Sequence, residues 1–411
     1  MSDTHPLREA VHHRRLSDYL ALALMYFAQG LPMGLAFEAL PTLIRHSGHG
    51  MAQIGWVGLA FLPWALKFLW ASHIDNLCRK AGISRVVFVT QALVAIACLG
   101  MSTLDFRTDL ALILMGVVGL NLICATQDIA TNAYAVSRLQ GKGAGPANAM
   151  QVGGFIMGML AGGGGLLIVH PYLGWSGLML VFAVLMLALY LPLWLRRDWR
   201  RHQPQTPTAV VKLKDLLQHD DLIFAILIAM SFKLASTAVS TLIKAWLIDR
   251  GLDLSTAGAL QASNLTFMAL GSIVIGIPLV RRCGNRSAVG IAGALAMLFL
   301  GVALLLEISG WHELRLYYLL FGLQGLFEGA FYVSVWALLM NWASPERPGT
   351  DYTTMQCCES LTNMLGASIV GVLGQHFGYL PTFGGAWIIG ILAWVLIVRC
   401  LSRIELQGES R

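Results

Sequence analysis

The sequence predicts an all-α membrane protein with twelve transmembrane helices in two six-helix halves. Three observations predict it. The first is composition: 56% of the 411 residues are hydrophobic and only 12% are charged, too few charges to solvate a domain of this size in water, whereas lipid can cover that much apolar exterior. The second is a series of twelve apolar runs, most of them long enough to cross a bilayer, which takes roughly 20 residues at helical rise. The third is that the loops between the runs are alternately basic and not.

In chain order the runs lie near 19–44, 52–71, 84–103, 109–134, 148–169, 174–195, 222–247, 256–280, 287–306, 314–341, 353–375 and 381–400; they are numbered here as spans 1 to 12. Span 1 follows a basic leader and is too long for the apolar core of a signal peptide, so an uncleaved first helix is expected. It carries Gln29 and Pro32 in mid-span, and the proline removes a backbone hydrogen bond where a bend around a cavity could form. Span 2 holds Lys67 near its end. Span 4 places Asn121, Asp128 and Asn132 at i, i+7 and i+11, one helical face. Span 5 contains Gly154, Gly158 and Gly162, a spacing that lets two helices approach closely. Span 7 aligns Lys233, Thr237, Ser240 and Lys244 in a polar stripe. Span 10 carries Gln324, Glu328 and Tyr332, with Trp336 a turn further on, and span 11 carries Gln356, Glu359, Ser360 and Asn363.

Orientation follows from the loops. Of the 28 Lys and Arg residues, 21 fall on one side, among them Arg14, Arg79, Lys142, Arg196, Arg281 and Arg399. Arg45, Arg107, Arg250 and Arg315 fall on the other. Because basic loops stay in the cytoplasm, both termini and the long central loop are expected inside. The net charge of +6 is therefore a topology signal. The basic residues are dispersed and lack interleaved aromatics, so no nucleic-acid partner is expected.

The only long polar stretch between spans is residues 196–221, which marks a linker between an N-terminal half (1–195) and a C-terminal half (222–411). Met150-Gln151 and Met159-Leu160 recur as Met355-Gln356 and Met364-Leu365 at a common offset of 205, half the chain. Of the seven cysteines, five lie in spans and Cys78 and Cys283 lie at cytoplasmic ends, where disulfides are disfavoured.

Charges at the bilayer centre cost about 2.5–3.5 kcal/mol on insertion scales, so such side chains turn to the bundle interior or a wet cavity. That makes Asp128, Lys233, Glu328 and Glu359 candidate transport residues, although helix-to-helix hydrogen bonding is a competing use for every polar group named. For Glu38 and Lys67, nearer span ends, snorkelling or a mutual structural pairing is as open a reading as transport. Lys233 can pair with an anionic solute, with Asp128 or with Glu328.

Several chemistries are missing from the sequence. Gly141-Lys142 is followed by Gly143, so there is no phosphate-binding loop of the P-loop type and energy is expected from a gradient. The histidines lie in loops or at span ends, against a haem-binding reductase. No serine-hydrolase motif occurs, and no enzyme activity, cofactor or metal is expected.

Parallel six-helix halves are the plan of the major facilitator superfamily. The loop Ala71-Ser72-His73-Ile74-Asp75-Asn76-Leu77-Cys78-Arg79-Lys80 resembles a degenerate form of that superfamily's signature between helices 2 and 3, without its leading glycine. Phe27-Ala28-Gln29-Gly30-Leu31-Pro32, Lys67-Phe68-Leu69-Trp70 with Asp75, and Thr126-Gln127-Asp128-Ile129-Ala130 resemble the AmpG-type muropeptide permeases and the related acetyl-coenzyme A transporters. With 411 residues and twelve spans, the chain is similar to the compact RhtX/FptX group of inner-membrane siderophore permeases. It departs from the permease pattern at Asn132, where a second acid often stands.

What the resemblance implies is a monomeric, proton-coupled secondary importer of a ferric siderophore in the bacterial inner membrane. Muropeptide import and drug or metabolite efflux stand as alternatives. The residues expected to bind the solute are Tyr26, Gln29, Asn121, Asn132, Lys233, Ser240, Gln324, Tyr332 and Trp336. Asp128, Glu328 and Glu359 are expected to couple protons, and Pro32 and Asp75 to serve conformational change.

Overall fold

The computed structural model describes residues 5–47, 56–196, 210–252, 254–310 and 313–406. Among these residues the chain is helical throughout, with no β-strand. Nine stretches are long and apolar enough to cross a membrane, and a bent pair, Trp56–Leu66 with Phe68–Ala81, makes a tenth. Two of the nine are 55 and 51 residues long. Each is broken by one glycine in the left-handed region, Gly174 (φ 61°) and Gly284 (φ 78°), a backbone state that a side chain resists. Divided there, the stretches give the twelve spans expected.

Several spans are not continuous α-helices. Span 1 runs as an α-helix over His5–Gly34, widens to a π-turn over Leu35–Ala39 and resumes over Leu40–His46. Pro32 lies inside the first segment, one turn before the widening. Proline cannot donate a backbone hydrogen bond, which leaves a carbonyl of the preceding turn without its usual partner. Span 2 bends by 54° at Lys67, the single residue between Leu62–Leu66 and Phe68–Ala81. Span 7 is likewise interrupted between Leu222–Ser231 and Leu234–Asp249, with Lys233 (φ −102°, ψ 1°) at the break. The polar stripe of span 7 thus begins at a discontinuity.

The chain divides into two compact units. The first comprises Met1–Leu139, Met150–Asp215 and Pro345–Thr354; the second comprises Gln140–Ala149, Leu216–Ser344 and Met355–Arg411. In the first unit, spans 1 and 5 meet backbone to backbone. A Cβ at Gly154, Gly158 or Gly162 would fall on the carbonyl of Ala23, Phe27 or Leu31, so the glycine ladder is a packing surface. In the second unit, spans 8 and 10 pack the same way, with Gly271 against Leu326 and Gly329 against Met268.

The outer faces are apolar. Ile168 (73%), Val184 (67%), Val274 (64%) and Leu392 (64%) remain exposed, as lipid-facing side chains do. The central part of the polar linker, including Arg197, Arg200 and Arg201, and the C-terminal Arg411 lie outside the described residues.

Candidate functional site

In the first unit the polar residues of spans 1, 2 and 4 form one buried network. Lys67 Nζ pairs with Asp128 Oδ2, with 4% and 2% of the two side chains exposed. Asn132 Nδ2 donates to the same carboxylate oxygen at 2.9 Å and to Thr353 Oγ1 at 3.1 Å. Tyr26 Oη in turn donates to Asn132 Oδ1 at 2.6 Å. The result is a continuous line of donors from Tyr26 through Asn132 to Asp128, met from the other side by Lys67. Gln29 Nε2 donates to Thr131 Oγ1 at 3.0 Å, while its fully buried Oε1 has no hydrogen-bond partner among the described residues. Asn121 ties two helices: it accepts from Trp64 Nε1 at 2.9 Å and donates to the Val117 carbonyl.

Two expectations change here. Lys67 neither snorkels nor sits with Glu38, which is exposed; the bend in span 2 carries it inward to Asp128, 5.2 Å from the Trp64 ring centre. Asn132 does more than stand in for a missing acid. At i+4 from Asp128 its amide supplies an N–H to the carboxylate, where a second carboxylate would repel it.

The second unit repeats the chemistry with different spans. Lys233 Nζ lies 3.0 Å from Glu359 Oε1, so its partner is Glu359, a pairing the sequence reading did not consider. Asn363, at i+4 from Glu359, donates to the same oxygen at 2.8 Å and accepts from Thr237 Oγ1 at 2.7 Å. Lys233 also lies 5.4 Å from the Tyr332 ring centre. Glu328 accepts from Gln324 Nε2 at 2.9 Å, and Gln324 Oε1 accepts from Asn264 at 2.9 Å. Trp336 and Tyr332 both pack on Phe232, at ring-centre distances of 6.0 and 5.8 Å. Ser240 is exposed and bonds only locally, to the Thr237 carbonyl at 3.1 Å. The side chain of Lys244 lies outside the described residues.

Each unit therefore holds a lysine at a helix break, a carboxylate on a neighbouring span and an asparagine four residues after that carboxylate. In a low-dielectric interior the arrangement satisfies both charges and leaves each pair able to separate if the acid gains a proton or the lysine gains another anion.

Asp75, predicted to serve conformational change, is buried midway along the second segment of span 2. Its carboxylate accepts from Gly349 N (3.0 Å), Thr350 N (2.6 Å) and Thr350 Oγ1 (2.5 Å). These donors open the helix Pro348–Phe377, whose first N–H groups lack intrahelical acceptors and whose dipole favours an anion. Beside it, Asn76 pairs with both the N–H and the carbonyl of Val211 (3.0 and 2.8 Å), anchoring the end of the linker. Nothing in the sequence marks that contact, because an Asn near a span end has many possible partners.

Comparison with known proteins adds two partial family matches, one in each half of the chain. Residues 222–409 match the Major Facilitator Superfamily model and residues 18–167 match the acetyl-coenzyme A transporter 1 model. The chain is 27% identical over 263 residues to the anhydromuropeptide permease of Escherichia coli K12, a match that covers 62% of this chain. It spans about half (52%) of that relative's length. Among solved structures, a bacterial homologue of the iron transporter ferroportin, in its outward-facing state, superposes with a TM-score of 0.73 at 15% identity, over 94% of this chain and 100% of the other. The E. coli fucose:proton symporter superposes with a TM-score of 0.71 at 14% identity, over 95% and 98%. At such identities the likeness is one of fold. With its membrane-spanning helices, a C-terminal half that matches the Major Facilitator Superfamily model and these structural neighbours, the chain is an all-helical, multi-pass membrane protein with the major facilitator fold.

Proposed function

We propose that the chain is a secondary active importer of the bacterial inner membrane, both termini cytoplasmic, and that its solute belongs to the anhydromuropeptide class. The observation that carries the transport reading is the Lys67–Asp128–Asn132–Tyr26 network, buried at a bend in span 2. An ion pair sealed among helices is a poor stabiliser compared with apolar packing, and it suits a group that must gain and lose a proton. Support for the solute class comes from the anhydromuropeptide permease relative, with which the motifs around Gln29, Lys67 and Asp128 also agree.

In this reading Asp128 takes a proton from the side to which it is open. Neutralised, it holds Lys67 less firmly, and Lys67 and Asn132 are freed toward other partners. Closure of the cavity and reopening on the other side then release the proton and the solute. Asp75, capping the Pro348–Phe377 helix, is an anchor that has to let go in each cycle.

A second reading, import of a ferric siderophore, is favoured by one observation: the cavity of the second unit combines the Lys233 cation with Trp246, Tyr317, Phe321 and Phe383, a lining suited to an anionic aromatic chelate. Uptake of labelled anhydromuropeptide and of radiolabelled ferric chelates, compared in cells with and without the gene, decides between them. Accumulation of neither would remove both.

A further inference from the structure

The cavity in the second unit has a volume of about 260 Å³ and lies among spans 7, 8, 9, 10 and 12. Span 7 runs along it from Lys233 to Trp246, 13 residues or about 20 Å of helix. Span 10 runs the opposite way, so Glu328 and Gln324 stand at the Lys233 end while Tyr317 stands at the other, 5.6 Å from Trp246 between ring centres. Phe383 closes on Trp246 at 6.0 Å. Between the ends the wall carries Met268, Leu300 and Leu304, with the hydroxyls of Thr237 and Ser240 on span 7 and Asn264 on span 8. The cavity is thus long and mostly apolar, with an aromatic end that also holds Glu307, paired with Arg250, and an end that holds Lys233 and Glu328.

The charged end is not sealed. Lys233 keeps 28% of its side-chain surface exposed while Glu359 keeps 11%, so the ammonium turns a face to the cavity and its partner sits behind it. An ammonium has three donors, and Tyr332 adds an aromatic face rather than a competing acceptor. A carboxylate at this end meets the Lys233 cation beside the Glu328 carboxylate, which is held by the Gln324 amide.

We propose that this cavity is a binding subsite for an amphipathic carboxylate, whose anionic head competes with Glu359 for Lys233 while its apolar or aromatic body lies on the wall between Leu304 and Trp246. The proposal deepens the import reading, on which it rests, by naming the chemistry of one part of the solute. A wholly polar sugar would leave the aliphatic wall uncovered, whereas an acid bearing an apolar segment covers it and gains hydrophobic free energy in proportion.

The test is calorimetric titration of the purified full-length protein with 2-naphthoate and with its neutral analogue 2-naphthamide. Naphthoate is expected to bind, Lys233→Gln to weaken it about tenfold and Glu359→Gln to tighten it about tenfold, the scale of one charge-assisted contact. Naphthamide is expected to bind both variants as it binds the parent. Leu304→Trp, which fills the cavity, is expected to abolish binding of both probes. If Lys233→Gln does not fold, the double variant Lys233→Gln/Glu359→Gln neutralises both members of the ion pair and takes its place. Naphthoate that fails to bind the parent, or binds the lysine-free protein or Leu304→Trp with parental affinity, overturns the proposal. Because binding is read on purified protein, its failure leaves the import reading intact, while loss of uptake in cells with naphthoate binding preserved refutes the import reading alone.

Discussion

Removing one member of the Lys67–Asp128 pair is the sharpest test of what the buried network does. In Asp128→Asn the Lys67 ammonium, whose side chain is 4% exposed, loses its counter-charge. An uncompensated buried charge costs about 3–5 kcal/mol. The Trp64 ring, 5.2 Å away, returns about 1–2 kcal/mol of that through its π-face. A net loss of about 2–3 kcal/mol is expected in Asp128→Asn, and a similar one in Lys67→Gln, where the carboxylate keeps the Asn132 donor. The double variant Lys67→Gln/Asp128→Asn has no charge to strand and is expected to recover most of the loss. Detergent-solubilised protein, followed by thermal unfolding on size-exclusion chromatography, reads the three stabilities.

Function should separate from stability. The double variant is expected to reach the membrane and to exchange solute down its gradient, but not to accumulate it uphill, since no group remains at that position to carry the proton. Two results would refute the reasoning. If the double variant is as unstable as the sum of the singles, the side chains are not energetic partners. If it accumulates solute and loses it to a protonophore as the parent does, the pair is structural and the proton site lies elsewhere.

Three further outcomes are expected. Lys233→Ala should lower uptake while leaving the protein in the membrane, because it removes the cation facing the cavity of the second unit; normal uptake would take Lys233 out of the transport path. Asp75→Ala removes three hydrogen bonds from the start of the Pro348–Phe377 helix, and loss of a helix cap costs about 1–2 kcal/mol; cysteine accessibility at position 350 should rise, and unchanged labelling would deny the cap a role. Gly158→Val places side-chain carbon on the Phe27 carbonyl and should abolish folded expression, whereas Gly153→Ala, where no neighbour lies within 4 Å, should be tolerated.

The fold was legible because lipid simplifies the problem. Every backbone group must be paired inside its own helix, so twelve apolar runs have one regular solution, and the two longest helical stretches divide at Gly174 and Gly284, both in the left-handed region. The glycine ladder of span 5 could be read as a packing face for the same reason, though not that span 1 was its partner. Polar faces were legible too: Asp128 with Asn132, and Glu359 with Asn363, sit at i, i+4, a spacing visible in the sequence.

What the sequence could not disclose is which charges meet. A periodic pattern assumes an unbroken helix, and both lysines sit where the helix breaks: at Lys67 the span bends by 54°, and at Lys233 the backbone leaves helical values. A rotation of the helix at these points changes the direction of everything that follows. Lys67 therefore looked like a residue at a span end and is instead the counter-charge of Asp128; Lys233 was given two possible acids and meets a third. The breaks and the charges belong together. At Lys67 the carbonyl accepts from Trp70 N, three residues on, at 3.2 Å, a tighter turn than the regular i+4 ladder at the point where the span bends. Helix breaks inside membranes are tolerated where they are buried in protein or line a cavity, and each unit has placed its lysine at such a point, opposite an acid whose asparagine neighbour steadies it. In the proposed transport cycle, charge and hinge at one residue let a change of protonation become a change of helix direction.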